Sequence, residues 1–193
     1  MALAKTLLRI GRIMRDQEIA DIILVESGFK PAAMVELAHP IRASAASWER
    51  YQKKVRSFEK TLRDSGLFYA LRINRIKTSS DVTKYSYIAK DRRTLKKLAM
   101  ASAEKNTGKR RLVLGKILGY PISAVRAFAR NKSIQNNDIP ARVRRSVFWK
   151  FLNFRLSQSW REEMEYVYKR ARAIRHESPE FYKKIRRRKM RVA

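Results

Sequence analysis

Between Arg92 and Arg161 the chain sets 18 lysines and arginines against two acids, Glu104 and Asp138. Charge of one sign at that density repels itself and opposes a compact fold unless a polyanion neutralises it. The excess is uneven. Residues 1–66 hold 12 basic and 8 acidic side chains, residues 67–193 hold 34 and 9, and the 193-residue chain carries a formal +29. Yet 45% of the residues are hydrophobic and 10% aromatic, enough to build a core, so the chain is not a disordered polycation. A folded body with a cationic surface follows. The partner class this favours is nucleic acid, with a merely solvated basic surface or an anionic membrane surface as alternatives.

Several chemistries are excluded or disfavoured. With no cysteine, the chain can form no disulfide framework, thiolate zinc site, iron–sulfur cluster or cysteine nucleophile, which fits a reducing cytoplasm. No apolar run approaches the roughly 20 residues of a membrane span. The N-terminal segment interleaves Lys5, Arg9, Arg12 and Arg15 with Leu3, Leu7, Leu8 and Ile10, so it lacks the unbroken apolar stretch of a secretory signal. Asp16, Glu18 and Asp21 argue against a mitochondrial presequence. The two histidines, His39 and His176, sit in loop-like and basic surroundings. Gly108-Lys109 and Gly115-Lys116 lack the spacing of a phosphate loop. No set of carboxylates converges as a two-metal site would require. The expectation is a non-enzyme without a metal or cofactor.

Along the chain, residues 3–26 have the spacing of one helix, ended by Ser27-Gly28, and Pro31 suits a short helix over 31–38, broken at His39-Pro40. Over 43–65, Trp48, Tyr51, Val55, Phe58 and Leu62 form one helical seam, facing either a core or a partner helix. Gly66 stops it. Residues 67–76 and 82–89 are rich in β-branched and aromatic types around the turn-like Thr78-Ser79-Ser80-Asp81, the pattern of a β-hairpin that must pack on helices. Arg72, Arg75, Lys77 and Lys84 could meet phosphates from it, and Tyr85 and Tyr87 are either base-stacking or core residues. Asp91 can cap a helix over 92–105. Helices over 109–118 and about 122–131 follow, then a polar loop, 132–138. Pro140 opens a predicted long helix to about 156, burying Val143, Val147, Phe148, Phe151 and Leu152. Ser159 and Glu162 have capping-box spacing for a helix with Trp160, Met164, Val167, Ala171 and Ile174 as its stripe. Glu163 and Glu165 are placed to pair with Arg161 and Lys169. Ser178-Pro179 begins a last helix. Seven of the nine residues from Lys183 to Arg191 are basic.

The segment Arg111 to Arg130 resembles the helix-turn-helix family. Leu114, Leu118, Tyr120, Val125 and Phe128 occupy its apolar offsets. Gly119 stands where the turn needs a positive φ, and Gly115 where the two helices meet most closely. The resemblance implies a groove-facing set of Pro121, Ile122, Ser123, Arg126 and Ala127, of which Ser123 and Arg126 can hydrogen-bond a base edge. Lys109, Arg110, Arg111, Lys116, Arg130 and Lys132 flank it as phosphate binders, so the module is suited more to gripping backbone than to reading sequence. Leu118-Gly119-Tyr120-Pro121, followed by Val125 and Phe128, also resembles an uncharacterised, mainly archaeal family with a Leu-Gly-Tyr-Pro motif. That likeness extends over 67–182, through Tyr87 to Lys90 and Ser178-Pro179. It implies an α+β fold. Ser123 and Ala124 replace the two cysteines of that motif, so no cysteine role transfers.

The expected fold is α+β and mostly α-helical, with helices packed around one β-hairpin (about 67–76 and 82–89), a helix-turn-helix-like unit and a basic C-terminal tail. The expected layout is a near-neutral helical region, 1–66, a basic nucleic-acid-binding body, 67–182, and a tail, 183–193, ordered on binding. Expected binding residues are those of the helix-turn-helix-like unit and its flanks, namely Lys109, Arg110, Arg111, Lys116, Ser123, Arg126, Arg130 and Lys132. Arg142, Arg144 and Arg145 join them, with Lys183, Lys184, Arg186, Arg187, Arg188, Lys189 and Arg191 of the tail. The leading functional reading is a structural nucleic-acid-binding protein, an RNA-binding component of a ribonucleoprotein such as the ribosome. RNA is favoured over DNA, and neighbouring proteins would be met through 1–66. The alternative is a helix-turn-helix protein on double-stranded DNA: a regulator, an architectural protein or a viral coat protein.

Overall fold

A computed structural model of the chain describes residues 2–10, 13–37, 44–75 and 82–187. The His39-Pro40 break, Lys77, the turn at 78–81 and the tail residues Arg188, Lys189 and Arg191 lie outside them, as do the side chains of Arg72, Arg75 and Lys84. The fold is α+β and mostly helical, with a small antiparallel sheet. It divides into two compact units, Met1–Ala99 and Met100–Ala193.

In the first unit, α1 (Ala2–Arg9) and α2 (Asp16–Glu26) replace the single helix expected over 3–26. The chain is extended at Arg15 (ψ 158°), and the Arg15 N–H donates to the Glu18 carboxylate at 2.5 Å. The acid three residues on captures the amide that would have continued the helix, so a new helix starts there. Gly28 (φ +81°) then ends α2, with Lys30 N–H reaching back to the Leu24 carbonyl.

Residues 32–37 are not helical as expected: β1 (Ala32–Leu37) is a strand. Ala33, Val35 and Leu37 are buried while Met34 and Glu36 are exposed, an alternation of period two. Pro31, before the first strand residue, has no ladder amide to forfeit. β2 (Phe68–Arg75) and β3 (Val82–Ala89) form the expected hairpin, and β1 joins its far side in the order β1-β3-β2, both pairings antiparallel. Ala32 and Phe68 both face Ala89, and Val35 and Leu71 both face Ser86. The hairpin, expected with the basic region after residue 66, therefore belongs to the N-terminal unit.

Helix α3 (Ala45–Asp64) is capped by Ser44, whose hydroxyl accepts the Ser47 N–H, and ends at Gly66 (φ +68°). Its seam of Tyr51, Val55, Phe58 and Leu62 is buried and faces the core. Helix α2 packs on β1 and β3, α3 on β2, and α1 on α2 and α3. Lys30 is 1% exposed, and its ammonium meets Asp21 at 2.5 Å. A buried charge of that kind is tolerated only with its counter-charge in place.

The division between the units falls inside α4 (Arg92–Ser102). Asp91 caps this helix, accepting from the Thr94 N–H (2.7 Å) and hydroxyl (2.8 Å). The second unit continues with α5 (Thr107–Ile117), α6 (Ile122–Ala129), α7 (Ala141–Arg144), α8 (Trp160–Glu177) and α9 (Pro179–Arg187). The long helix expected from Pro140 to 156 is overturned. After α7 the backbone extends at Ser146 (ψ 150°), forms a 3-10 stretch over Val147–Phe151 and extends again at Leu152. Of the five residues expected to be buried there, Phe151 is buried, and Val143, Val147, Phe148 and Leu152 are half-buried.

The aromatic rings explain the break, because one helix stripe could not satisfy all of them. Phe148 meets Tyr168 edge-on at 4.6 Å, Phe151 stacks on Tyr182 at 5.2 Å, and Phe154 touches both Tyr120 and Tyr166. The stripe of α8 is buried at Met164, Val167, Ala171 and Ile174, with Trp160 half-buried. Its capping box is absent, since Ser159 makes no side-chain cap. Glu163 instead turns inward and accepts from both the N–H (2.8 Å) and the hydroxyl of Ser157, fastening the preceding loop. The expected pairing of Glu163 with Arg161 or Lys169 is thereby corrected.

Candidate nucleic-acid interface

The α5–α6 hairpin is built by two glycines. Gly119 has φ +71°, and the amides of Gly119 and Tyr120 return to the carbonyls of Lys116 and Gly115. This is a Schellman end, which spares L side chains the strained left-handed region. A Cβ on Gly115 would lie 2.7 and 2.8 Å from the Val125 methyls, so the helices cross where only hydrogen fits. Leu118 and Val125 are buried between them, while Leu114 and Tyr120 are half-buried. Phe128 departs from the expected offsets: it is 37% exposed.

Helix α6 ends on a second Schellman motif, with Asn131 (φ +55°) where glycine is usual. The Asn131 and Lys132 amides reach the Phe128 and Ala127 carbonyls. Asn131 has a second task. Its side-chain oxygen accepts from the Arg111 guanidinium at 2.5 Å, and the same nitrogen lies 3.5 Å from the Phe128 carbonyl. Arg111 thus lies over the Phe128 ring, 4.6 Å from its centroid, and Arg155 lies 5.8 Å from the same centroid.

The expected binding residues therefore separate. Arg111 is locked in place. Arg110 is half-buried and donates to the Glu104 carbonyl (3.3 Å), and Arg144 donates to the Ile139 carbonyl (3.1 Å). Lys109 pairs with Glu104 at 3.0 Å. The Asn106 N–H and then the Lys109 ammonium hold the Glu104 carboxyl below its ordinary range, so it stays ionised as their partner. These four cations support the fold.

Lys116, Arg126, Arg130, Lys132, Arg142 and Arg145 are exposed, and no hydrogen bond or ion pair among the described residues engages their side chains. Arg126 and Arg130 share one face of α6 with Ile122, which is 44% exposed, and Ser123 is half-buried beside them. Lys183, Lys184, Arg186 and Arg187, expected in a tail ordered on binding, are already helical in α9, because Phe181, Tyr182 and Ile185 are buried beneath them. Lys183 pairs with Glu180 at 3.1 Å, Arg186 lies over the Tyr182 ring, and the Arg186 carbonyl accepts from Lys150 at 2.7 Å.

Residues 100–193 hold 25 basic side chains and 7 acids, and most of those acids are engaged within the unit. Besides Glu104 and Glu163, Asp138 accepts the Gln135 N–H, and Glu177 and Glu180 pair with His176 and Lys183. Little negative charge is left to neutralise the exposed cations. Sequence reasoning missed the Phe128–Arg155 contact. Its two residues are 27 positions apart, and nothing local links them.

Among the described residues no group of three histidine, cysteine or acidic side chains could hold a metal, and no helix is long and apolar enough to cross a membrane. Compared with known protein families, curated proteins and solved structures, the chain matches none.

Proposed function

We propose that this is a structural nucleic-acid-binding protein, an RNA-binding component of a ribonucleoprotein such as the ribosome, working in the cytoplasm. The observation that carries the reading is the set of exposed cations on the second unit, Lys116, Arg126, Arg130, Lys132, Arg142 and Arg145, in a unit whose own acids are largely committed. Arginine forks offer bidentate phosphate contacts and lysines offer point charges. Arg110, Arg111 and Arg144 position this surface, and the N-terminal region meets neighbouring proteins. No residue is assigned a catalytic role.

The test is salt-dependent binding of a structured RNA. Log affinity should fall linearly with log salt, with a slope of about −0.7 to −0.9 per phosphate contact. Replacing Lys116, Arg126, Arg130 and Lys132 together with alanine should flatten the slope by several contacts. An unchanged slope, or no binding to any polynucleotide at low salt, overturns the reading.

A second reading, a helix-turn-helix protein on double-stranded DNA, is favoured by the Gly115–Val125 approach and the Gly119 turn. It requires a specificity ratio above about a thousand for one duplex site, with Arg126→Ala changing the preferred sequence.

A further inference from the structure

The exposed Phe128 ring is the feature that the phosphate-gripping account leaves unused. An aromatic ring at the end of a surface helix carries an unfavourable apolar area in water. Two guanidiniums cover it, and they are not equivalent. Arg111 is fixed by Asn131 and by the Phe128 carbonyl, and it sits close, at 4.6 Å. Arg155 is exposed, sits farther out at 5.8 Å, and is held by no hydrogen bond or ion pair among the described residues. The ring and Arg111 form a preorganised platform, and Arg155 is an exchangeable cover. Exposed Arg130 and Lys132 flank it in the chain, two and four residues beyond Phe128.

We propose that Phe128, Arg111 and Arg155 form a seat for one unpaired nucleotide. The base takes Arg155's place on the ring, and the released guanidinium pairs with the adjoining phosphate. This rests on the nucleic-acid reading above and narrows it to strands with unstacked bases, such as loops, bulges and single-stranded segments. A duplex hides its base faces in the stack and cannot use such a platform, whereas every unpaired base has a π-face to offer it. The seat is therefore tolerant of base identity and selective for strand state.

The experiment compares the full chain with its Phe128→Leu and Phe128→Trp variants. Leucine keeps apolar bulk and helix propensity but removes the ring, and circular dichroism checks that each variant is folded. The probes are a short unpaired RNA carrying 2-aminopurine, whose fluorescence falls on stacking, and a blunt duplex of the same sequence. Wild-type protein should quench the unpaired probe. Phe128→Leu should abolish the quench and weaken binding by about tenfold, in the range of one lost base–aromatic stack, with the salt slope and duplex affinity unchanged. Phe128→Trp should retain both quench and affinity. Equal weakening on duplex and single strand, or a quench that survives in Phe128→Leu, overturns the seat while leaving phosphate binding intact. If the wild type binds neither probe at low salt, the nucleic-acid reading fails and the seat with it.

Discussion

Replacing Gly115 with alanine tests the geometry on which the α5–α6 hairpin depends. The added Cβ would stand 2.7 and 2.8 Å from the two Val125 methyls, against an ordinary carbon–carbon contact of about 3.5–4.0 Å. Valine is branched at Cβ and stiff in χ1, so its methyls cannot rotate away, and the helices must part by about 1 Å. Overpacking on this scale costs about 1–3 kcal/mol. Alanine in a helix interior returns about 1 kcal/mol of propensity over glycine, so the net change is a loss of ~0–2 kcal/mol. Val125→Ala alone should cost about 2 kcal/mol through two lost methyls and a cavity. In the double variant the new Cβ fills that cavity, so the two changes should couple favourably by at least about 1 kcal/mol. Native-state hydrogen exchange over residues 107–129, read by mass spectrometry, reports the local opening free energy without requiring both units to unfold together. A Gly115→Ala protein more protected than wild type by the full ~1 kcal/mol of helix propensity, or strictly additive effects in the double variant, would show that the helices do not meet at Gly115.

Two further outcomes follow from buried and capping charges. Asp21→Asn removes the carboxylate that the buried Lys30 ammonium meets at 2.5 Å and should destabilise the first unit by about 3–5 kcal/mol, measured by hydrogen exchange in urea. A change below about 1 kcal/mol would mean that the pair is not buried in solution. The Asp91 carboxyl is held below its ordinary value by the Thr94 N–H and then by the Thr94 hydroxyl. A lowered folded pKa means that the cap is fully present above the ordinary aspartate range and is lost as the pH falls through the lowered folded value. An NMR titration of the Asp91 carboxyl should place its midpoint below that of an unstructured aspartate, and Thr94→Ala should move it back toward that value.

The legible parts of the fold were those set by local chemistry. Gly28, Gly66 and Gly119 each take the positive φ that a helix end demands, and the α3 seam needed nothing beyond its own periodicity. What escaped depended on partners distant in the chain. Residues 32–37 contain good helix formers and become a strand because β3 offers a ladder; six residues are too few for periodicity to decide. The break after α7 follows from rings on α8, α9 and Tyr120 that no local pattern reveals. In the candidate interface, charge density pointed to the surface. It could not separate Lys116, Arg126, Arg130 and Lys132, which are exposed, from Arg110, Arg111 and Arg144, which are tied to backbone carbonyls or Asn131. A guanidinium's role depends on whether a neighbouring acceptor reaches it first.

The strand order β1-β3-β2 also bears on how the molecule is made. Ala32 finds its ladder partner at Ala89, so β1 leaves the ribosome well before the strand that will hold it. Until 82–89 is synthesised, the nascent β1 offers unpaired N–H and C=O groups to any passing strand, a template for aggregation. Closing that long loop works against chain entropy, which slows strand pairing of this kind. A protein cut after residue 66 would be frozen at that stage.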